Sequence, residues 1–158
     1  MGNDAKFIDH RLRWFLFCLV LSIYLLVYIP QPDSADGNAV LAVTSTTLRY
    51  GTPDISVLAA DDAQFEFDMS RMGTFGADGA LYSKKGLAPS IALVPLVLAA
   101  EVLPWLTIRA TAMLLNPLIA ALTAVLLYTL GRKTGFRPRT ALAVSLIYAL
   151  ATLALVYT

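Results

Sequence analysis

From Ala110 to Leu130 the chain runs twenty-one residues without a single charge. At a rise of about 1.5 Å per residue, a helix of that length reaches some 31 Å, the thickness of a bilayer's hydrocarbon core. Three further apolar runs accompany it: Trp14–Ile29, Leu87–Pro104 and Thr140–Tyr157. The second of these is interrupted by Pro89, Pro95 and Glu101. Trp14, Tyr24, Tyr28, Trp105, Tyr128 and Tyr157 fall mostly near run ends, where an aromatic belt belongs. Composition agrees: 58% of residues are hydrophobic, only 15% are charged, and the mean hydropathy is +0.67. A soluble domain of 158 residues needs more charge than that to cover its surface. The expected fold class is all-α: polytopic membrane helices, about four apolar spans, with an external loop carrying a short membrane-parallel helix.

The flanks give an orientation. Residues 1–13 form a basic flank with Lys6, Arg11 and Arg13, and residues 14–30 are the first transmembrane helix. His10 reads as part of that solvated flank rather than as a metal ligand. The lone Cys18 lies inside the first run, so no disulfide framework exists. A cleaved signal peptide would also fit the basic flank, but no A-x-A site follows it. Residues 31–86 hold eight acids (Asp33, Asp36, Asp54, Asp61, Asp62, Glu66, Asp68, Asp78) against four bases (Arg49, Arg71, Lys84, Lys85), a net −4. Positive-inside reasoning puts the N-terminus in the cytoplasm and 31–86 outside, in a multi-pass protein of the plasma or inner membrane. Residues 87–158 then carry spans two to four. One feature opposes this count: Arg132, Lys133, Arg137 and Arg139 form a +4 loop that parity would also place outside. Re-entry of the proline-broken second run would remove the conflict.

Within the external segment, Asp36 to Tyr50 has helical character, with Val40, Val43 and Thr47 on one face. Gly51 stands at the stop position and Pro53 follows. Asp33 or Ser34 would cap this helix and Asp36 would lie in its first turn, where acids favour the positive end. On spacing alone, capping is the stronger reading of both acids. Thr52–Asp78 reads as an exposed loop with a short amphipathic piece near Phe65–Met69. Lys84 and Lys85, at the return to the membrane, would either snorkel to headgroups or grip a lipid-borne phosphate.

Taken together, a basic start, one span, an exit-side acid, a short helix ending in glycine and Tyr82-Ser83-Lys84-Lys85 before an apolar run resemble the amino-terminal part of GT-C membrane glycosyltransferases. The protein O-mannosyltransferase and aminoarabinose transferase group is the most similar branch. The spacing from Asp36 to Gly51 matches that family's acid-to-glycine spacing, and Lys85 falls where the aminoarabinose branch carries a donor-phosphate lysine. Arg109, in LTIRATAMLLN, matches an arginine before the third span, and LLYTLGRKTGFRPRTALAVSLIYAL resembles the connection from the third to the fourth. Relatives often carry Asp-Glu where this chain has Asp36-Gly37, so the second carboxylate is either missing or supplied by Asp33.

The resemblance implies transfer of a sugar from a polyprenyl-phosphate-linked donor to an acceptor on the external side. Asp36 would be the catalytic base, or the ligand of a divalent cation (Mg or Mn), with no organic cofactor. Asp33, Tyr82, Lys84, Lys85 and Arg109 would bind substrate. The expected partners are membrane lipid, the lipid-linked donor and an acceptor of unknown identity, with no nucleic acid. Complete relatives are much longer, and this chain stops within an apolar run at LALVYT, so a truncated piece, inactive by itself, is expected. The competing reading is a non-enzymatic polytopic membrane protein, a transport or assembly component, with Asp33 and Asp36 as helix caps; a receptor-like anchor is a third. Only one acid, Glu101, lies within the apolar runs, which argues against an ion pathway, and an anchor would need one span.

Overall fold

The computed structural model describes residues 3–30, 35–61, 73–103 and 105–156. It is mostly helical, as expected, and divides into two compact units: one from residues 1–28 and 116–158, the other from 29–115.

The first unit contains α1 (Asn3–Leu26), α6 (Leu115–Lys133), α7 (Pro138–Ala151) and the short α8 (Leu153–Val156). Its core joins Leu16, Val20 and Tyr24, spaced four apart on one stripe of α1, with Ala120, Ala124 and Tyr128 of α6 and Ala141 and Ala149 of α7. Large side chains on one helix meet small ones on the others, which lets backbones approach closely. The Tyr24 hydroxyl is buried and donates to the Ala149 carbonyl at 2.8 Å. Outward, Ile119, Leu122, Leu126 and Leu130 of α6 and Val144 and Ile147 of α7 are exposed. Hydroxyls on these helices bond backward to carbonyls one turn earlier, as from Thr123 to Ile119, Thr129 to Val125 and Ser145 to Ala141. Such helices offer few unsatisfied polar groups to their surroundings, a requirement in lipid. α6 ends in a Schellman turn: Phe136 N–H reaches the Gly131 carbonyl, Gly135 N–H reaches Arg132, and Gly135 takes φ +93°. Pro138 then starts α7.

The second unit contains α2 (Ala35–Tyr50), α3 (Ser56–Asp61), an antiparallel hairpin of β1 (Gly73–Phe75) and β2 (Leu81–Ser83), α4 (Leu87–Val102) and α5 (Ile108–Met113). α2 ends at Gly51, whose positive φ of 68° lets its N–H cap the Thr47 carbonyl. The stop expected at this glycine is therefore present. The single apolar face expected on α2 is not: Ala39 and every residue from Leu41 to Thr46 are buried, while Thr47 is exposed. One side packs on Ile55, Leu58 and Leu81, the other on Leu93, Val97 and Ala112. Thr44 donates to the Ser90 carbonyl at 3.1 Å and Ser90 donates to the Val40 carbonyl at 3.2 Å. Farther along, Arg49 pairs with Glu101 at 3.3 Å. Partners thus ascend together in both helices, so α2 and α4 run parallel. The hairpin and α3 replace part of the loop expected over Thr52–Asp78; the piece near Phe65–Met69 lies outside the described residues.

Among the described residues one helix is long and apolar enough to cross a membrane, the nearly continuous α5–α6 pair from Ile108 to Lys133, 26 residues. Pro117 lacks the N–H that would bond the Met113 carbonyl, which accounts for the break between the two. The other three runs form shorter apolar helices. α1 ends at Leu26, so its uncharged part from Trp14 covers only about 20 Å, and α4 and α7 are 16 and 14 residues long.

Candidate functional site

The second unit gathers part of the expected site. Asp36 occupies the first turn of α2, where the positive end of the helix favours a carboxylate. Lys85 lies two residues before the start of α4, and its Nζ stands 2.7 Å from Asp36 Oδ2. The parallel course of α2 and α4 brings these ends together. Both side chains are well exposed, 46% for Lys85 and 62% for Asp36. In water a pair of that kind adds at most about 1 kcal/mol to stability. It positions charge without holding the fold.

α4 starts from Gly86 with no side-chain cap, and Leu87 and Ala88 are exposed. Its first-turn N–H groups, with the exposed Lys84 and Lys85 ammoniums, form a concentrated positive edge suited to phosphate. Lys85 N–H is turned onto Ser83 Oγ at 3.0 Å, which shapes the approach to α4.

Other expected members stand apart. Tyr82 lies in β2, and its hydroxyl donates to Asp78 Oδ2 at 2.6 Å. That bond from Tyr82, with another from Ala80 N–H, holds the Asp78 carboxyl below the ordinary carboxylate range and raises the Tyr82 phenol. Arg109 is half-buried in the first turn of α5. Among the described residues, no hydrogen bond or ion pair links Tyr82 or Arg109 to Asp36 or Lys85. Asp33 lies outside the described residues. Asp54, one of the eight acids, is a framework residue: its Oδ1 accepts from Ser56 N–H, Ser56 Oγ and Leu81 N–H, joining α3 to the hairpin. Burial pushes the Asp54 carboxyl up, but these three bonds outweigh it and leave it lowered.

A divalent ion requires several oxygen ligands around it. Among the described residues no group of three His, Cys, Asp or Glu side chains forms, and an ammonium already occupies Asp36 Oδ2.

A second polar cluster, in the first unit, has no counterpart in the expected site. Asp9 is 6% exposed. It accepts from the Tyr128 hydroxyl at 2.8 Å and from Arg132 Nε at 3.0 and 3.2 Å. Arg132 Nη1 donates onward to the Phe136 carbonyl at 2.6 Å. Burial pushes the Asp9 carboxyl up, but the bonds from Arg132 and Tyr128 and the charges of Arg132 and Arg13 bring it below its ordinary value. The signal available in the sequence was an acid inside a basic flank, opposite a basic loop.

Scans of the whole chain against protein-family models, curated proteins and solved structures each found no match.

Proposed function

We propose that the chain carries the lipid-phosphate end of a membrane glycosyltransferase site, with Asp36 as general base and Lys85 and Lys84 as the cations for the leaving phosphate. The observation that carries this reading is the 2.7 Å contact between Asp36 and Lys85. The family resemblance implies both residues for one site, and they are distant in the chain. In the reaction, the acceptor hydroxyl or amine gives its proton to Asp36, and its oxygen or nitrogen attacks the anomeric carbon. The bond from that carbon to the polyprenyl phosphate breaks, and the phosphate leaves with its electron pair and an added negative charge. In the resting protein Lys85 faces Asp36. An arriving phosphate would compete for Lys85, releasing Asp36 Oδ2 towards the acceptor as the cation moves to where charge develops.

The membrane topology belongs to the same proposal. Asp9 touches Arg132 within one unit, so the start of α1 and the end of α6 share one side of the bilayer. The chain between them then crosses an even number of times. α1 and Ile108–Lys133 supply two crossings, which leaves none for α4. Two features of α4 agree: it contains Pro95 and it pairs along its length with the polar α2. Its other face, Leu87, Ile91, Leu98 and Val102, is exposed and apolar, as for a helix lying in the interface. The basic residues 132–139 then fall in the cytoplasm with the N-terminus, and the conflict with the positive-inside rule disappears. The resulting protein has three crossings, through α1, Ile108–Lys133 and α7, with Asp36 and Lys85 on the external side.

A second reading has its own support. An exposed acid in the first turn of α2 is what a helix needs from a purely structural residue. Asp36→Asn separates the two, because Asn serves a helix start almost as well but cannot take the proton. Sugar transfer from a polyprenyl-phosphate donor, measured in proteoliposomes with the natural protein carrying this sequence, should fall about a hundredfold to ten-thousandfold in Asp36→Asn. Near-normal transfer by correctly inserted Asp36→Asn protein would leave the non-enzymatic reading standing.

A further inference from the structure

On the first unit, α1 and α6 enclose a groove of about 400 Å³ lined by His10, Arg13, Trp14, Phe17, Leu122 and Val125. That volume lies in the range of small-ligand clefts, about 300–1,000 Å³. Its walls differ along their length. Phe17, Leu122 and Val125 make the apolar part, and His10 and Arg13 make the polar rim. Trp14 stands edge-on to His10 at 6.4 Å and to Phe17 at 6.2 Å, so one aromatic ladder joins rim to floor. Trp14 is nonetheless 60% exposed. Arg13 Nε is buried and has no hydrogen-bond partner among the described residues. The nearest carboxylate on α1, Asp9, is occupied by Arg132 and Tyr128. A buried guanidinium N–H without an acceptor is costly to leave unfilled.

We propose that this groove binds one anionic glycerophospholipid, its phosphate on Arg13 and one acyl chain along Phe17, Leu122 and Val125. Charge complementarity selects this occupant: the groove asks for an anion and an apolar chain in the same molecule, joined at the depth of an interfacial tryptophan. The site is separate from the Asp36–Lys85 pair, and the inference rests on membrane insertion of α1 and α6 rather than on any transfer activity.

The test uses Trp105→Phe protein, in which Trp14 is the remaining one of the two tryptophans. It is reconstituted in vesicles containing equal mole fractions of brominated phosphatidylglycerol or brominated phosphatidylcholine. Quenching of Trp14 by the zwitterionic lipid reports insertion alone; the excess with the anionic lipid reports the site. Half-quenching is expected at about fivefold lower mole fraction of the anionic lipid, the fold-change for roughly one cationic contact. Arg13→Gln should abolish the excess and Arg13→Lys should keep most of it. Arg11→Gln removes the same charge from a side chain stacked on Phe7, outside the groove, and should leave the excess intact. Equal quenching by the two lipids overturns the proposal, as does an equal effect of Arg11→Gln and Arg13→Gln, which would mean diffuse surface charge. Protection of Trp14 from both lipids also overturns it, because a second copy or another protein would then fill the groove.

Discussion

Asp36 and Lys85 meet 2.7 Å apart at the N-terminal ends of two parallel helices. The positive ends of α2 and α4 therefore lie at one edge, where Lys85 adds a full charge and Asp36 supplies an acceptor for a proton. Holding the pair together adds little to stability, so its value would lie in what approaches it.

Lys85→Ala should accordingly separate function from fold. The mutant should keep its melting temperature, since an exposed pair contributes at most about 1 kcal/mol. Its use of a polyprenyl-phosphate donor should weaken, and Lys85→Arg should recover part of it. The measurements are thermal unfolding in detergent beside donor-concentration dependence of transfer. A large loss of stability in Lys85→Ala would make the residue a framework element instead.

Asp9 behaves in the opposite way. It is buried against Tyr128 and the part-exposed Arg132, and breaking the pair from its side leaves the guanidinium without its carboxylate. Asp9→Asn should destabilise the protein, seen as a lower melting temperature. Removing both charges together, as Asp9→Asn with Arg132→Met, should be milder than the sum of the single changes. Additive losses would mean that the pair carries no coupling.

The pH dependence follows from carboxyls held below their ordinary values: Asp9, Asp54 and the exposed Asp78. A carboxyl lowered in the folded state contributes its full stability above its unfolded pKa and loses it as pH falls through the folded one. Unfolding temperature should be level above about pH 5 and decline steadily below about pH 4. Asp54→Asn should flatten part of that decline. A profile unchanged down to strong acid would contradict these hydrogen-bond assignments.

Topology can be read with thiol probes in a Cys18→Ser background. A cysteine at Ala77, in the exposed hairpin turn, should label with an impermeant maleimide in intact cells. One at Thr134 should label only after the membrane is opened, like one in the N-terminal flank. Labelling of both from outside would restore α4 as a crossing.

The elements differ in how far the sequence revealed them. α2 and its end were visible because Gly51 sits where a left-handed residue is needed, a requirement that shows in residue type. Its burial on two sides was not, because Ala39, Ala42, Ser45 and Thr46 pack by being small rather than by being greasy. The hairpin escaped notice since each strand is three residues long, and its only signal was Asp78-Gly79 in the connecting turn. The four apolar runs form helices, but among the described residues Ile108–Lys133 alone is long and apolar enough to cross a membrane, because helix ends follow local geometry: Pro30 soon follows the last turn of α1, and Pro95 leaves the Ile91 carbonyl without its helical donor. The meeting of Asp36 and Lys85 was legible only through the family resemblance, because the parallel packing that produces it is encoded by no local pattern. Asp9 carries no local signal of its role, since its partner stands 123 residues away.

That distance has a consequence in time. Unit two is one continuous stretch, residues 29–115, inserted into a unit whose halves are 1–28 and 116–158. A ribosome adds about 5–20 residues each second, so Arg132 is made some 6–25 seconds after Asp9. Until then Asp9 lacks its Arg132 partner, while the inserted unit is complete in sequence once residue 115 is made, 17 residues before Arg132. The sequence of events is thus written into connectivity: the middle of the chain matures first, and the first helix waits for its closing partner to be synthesised.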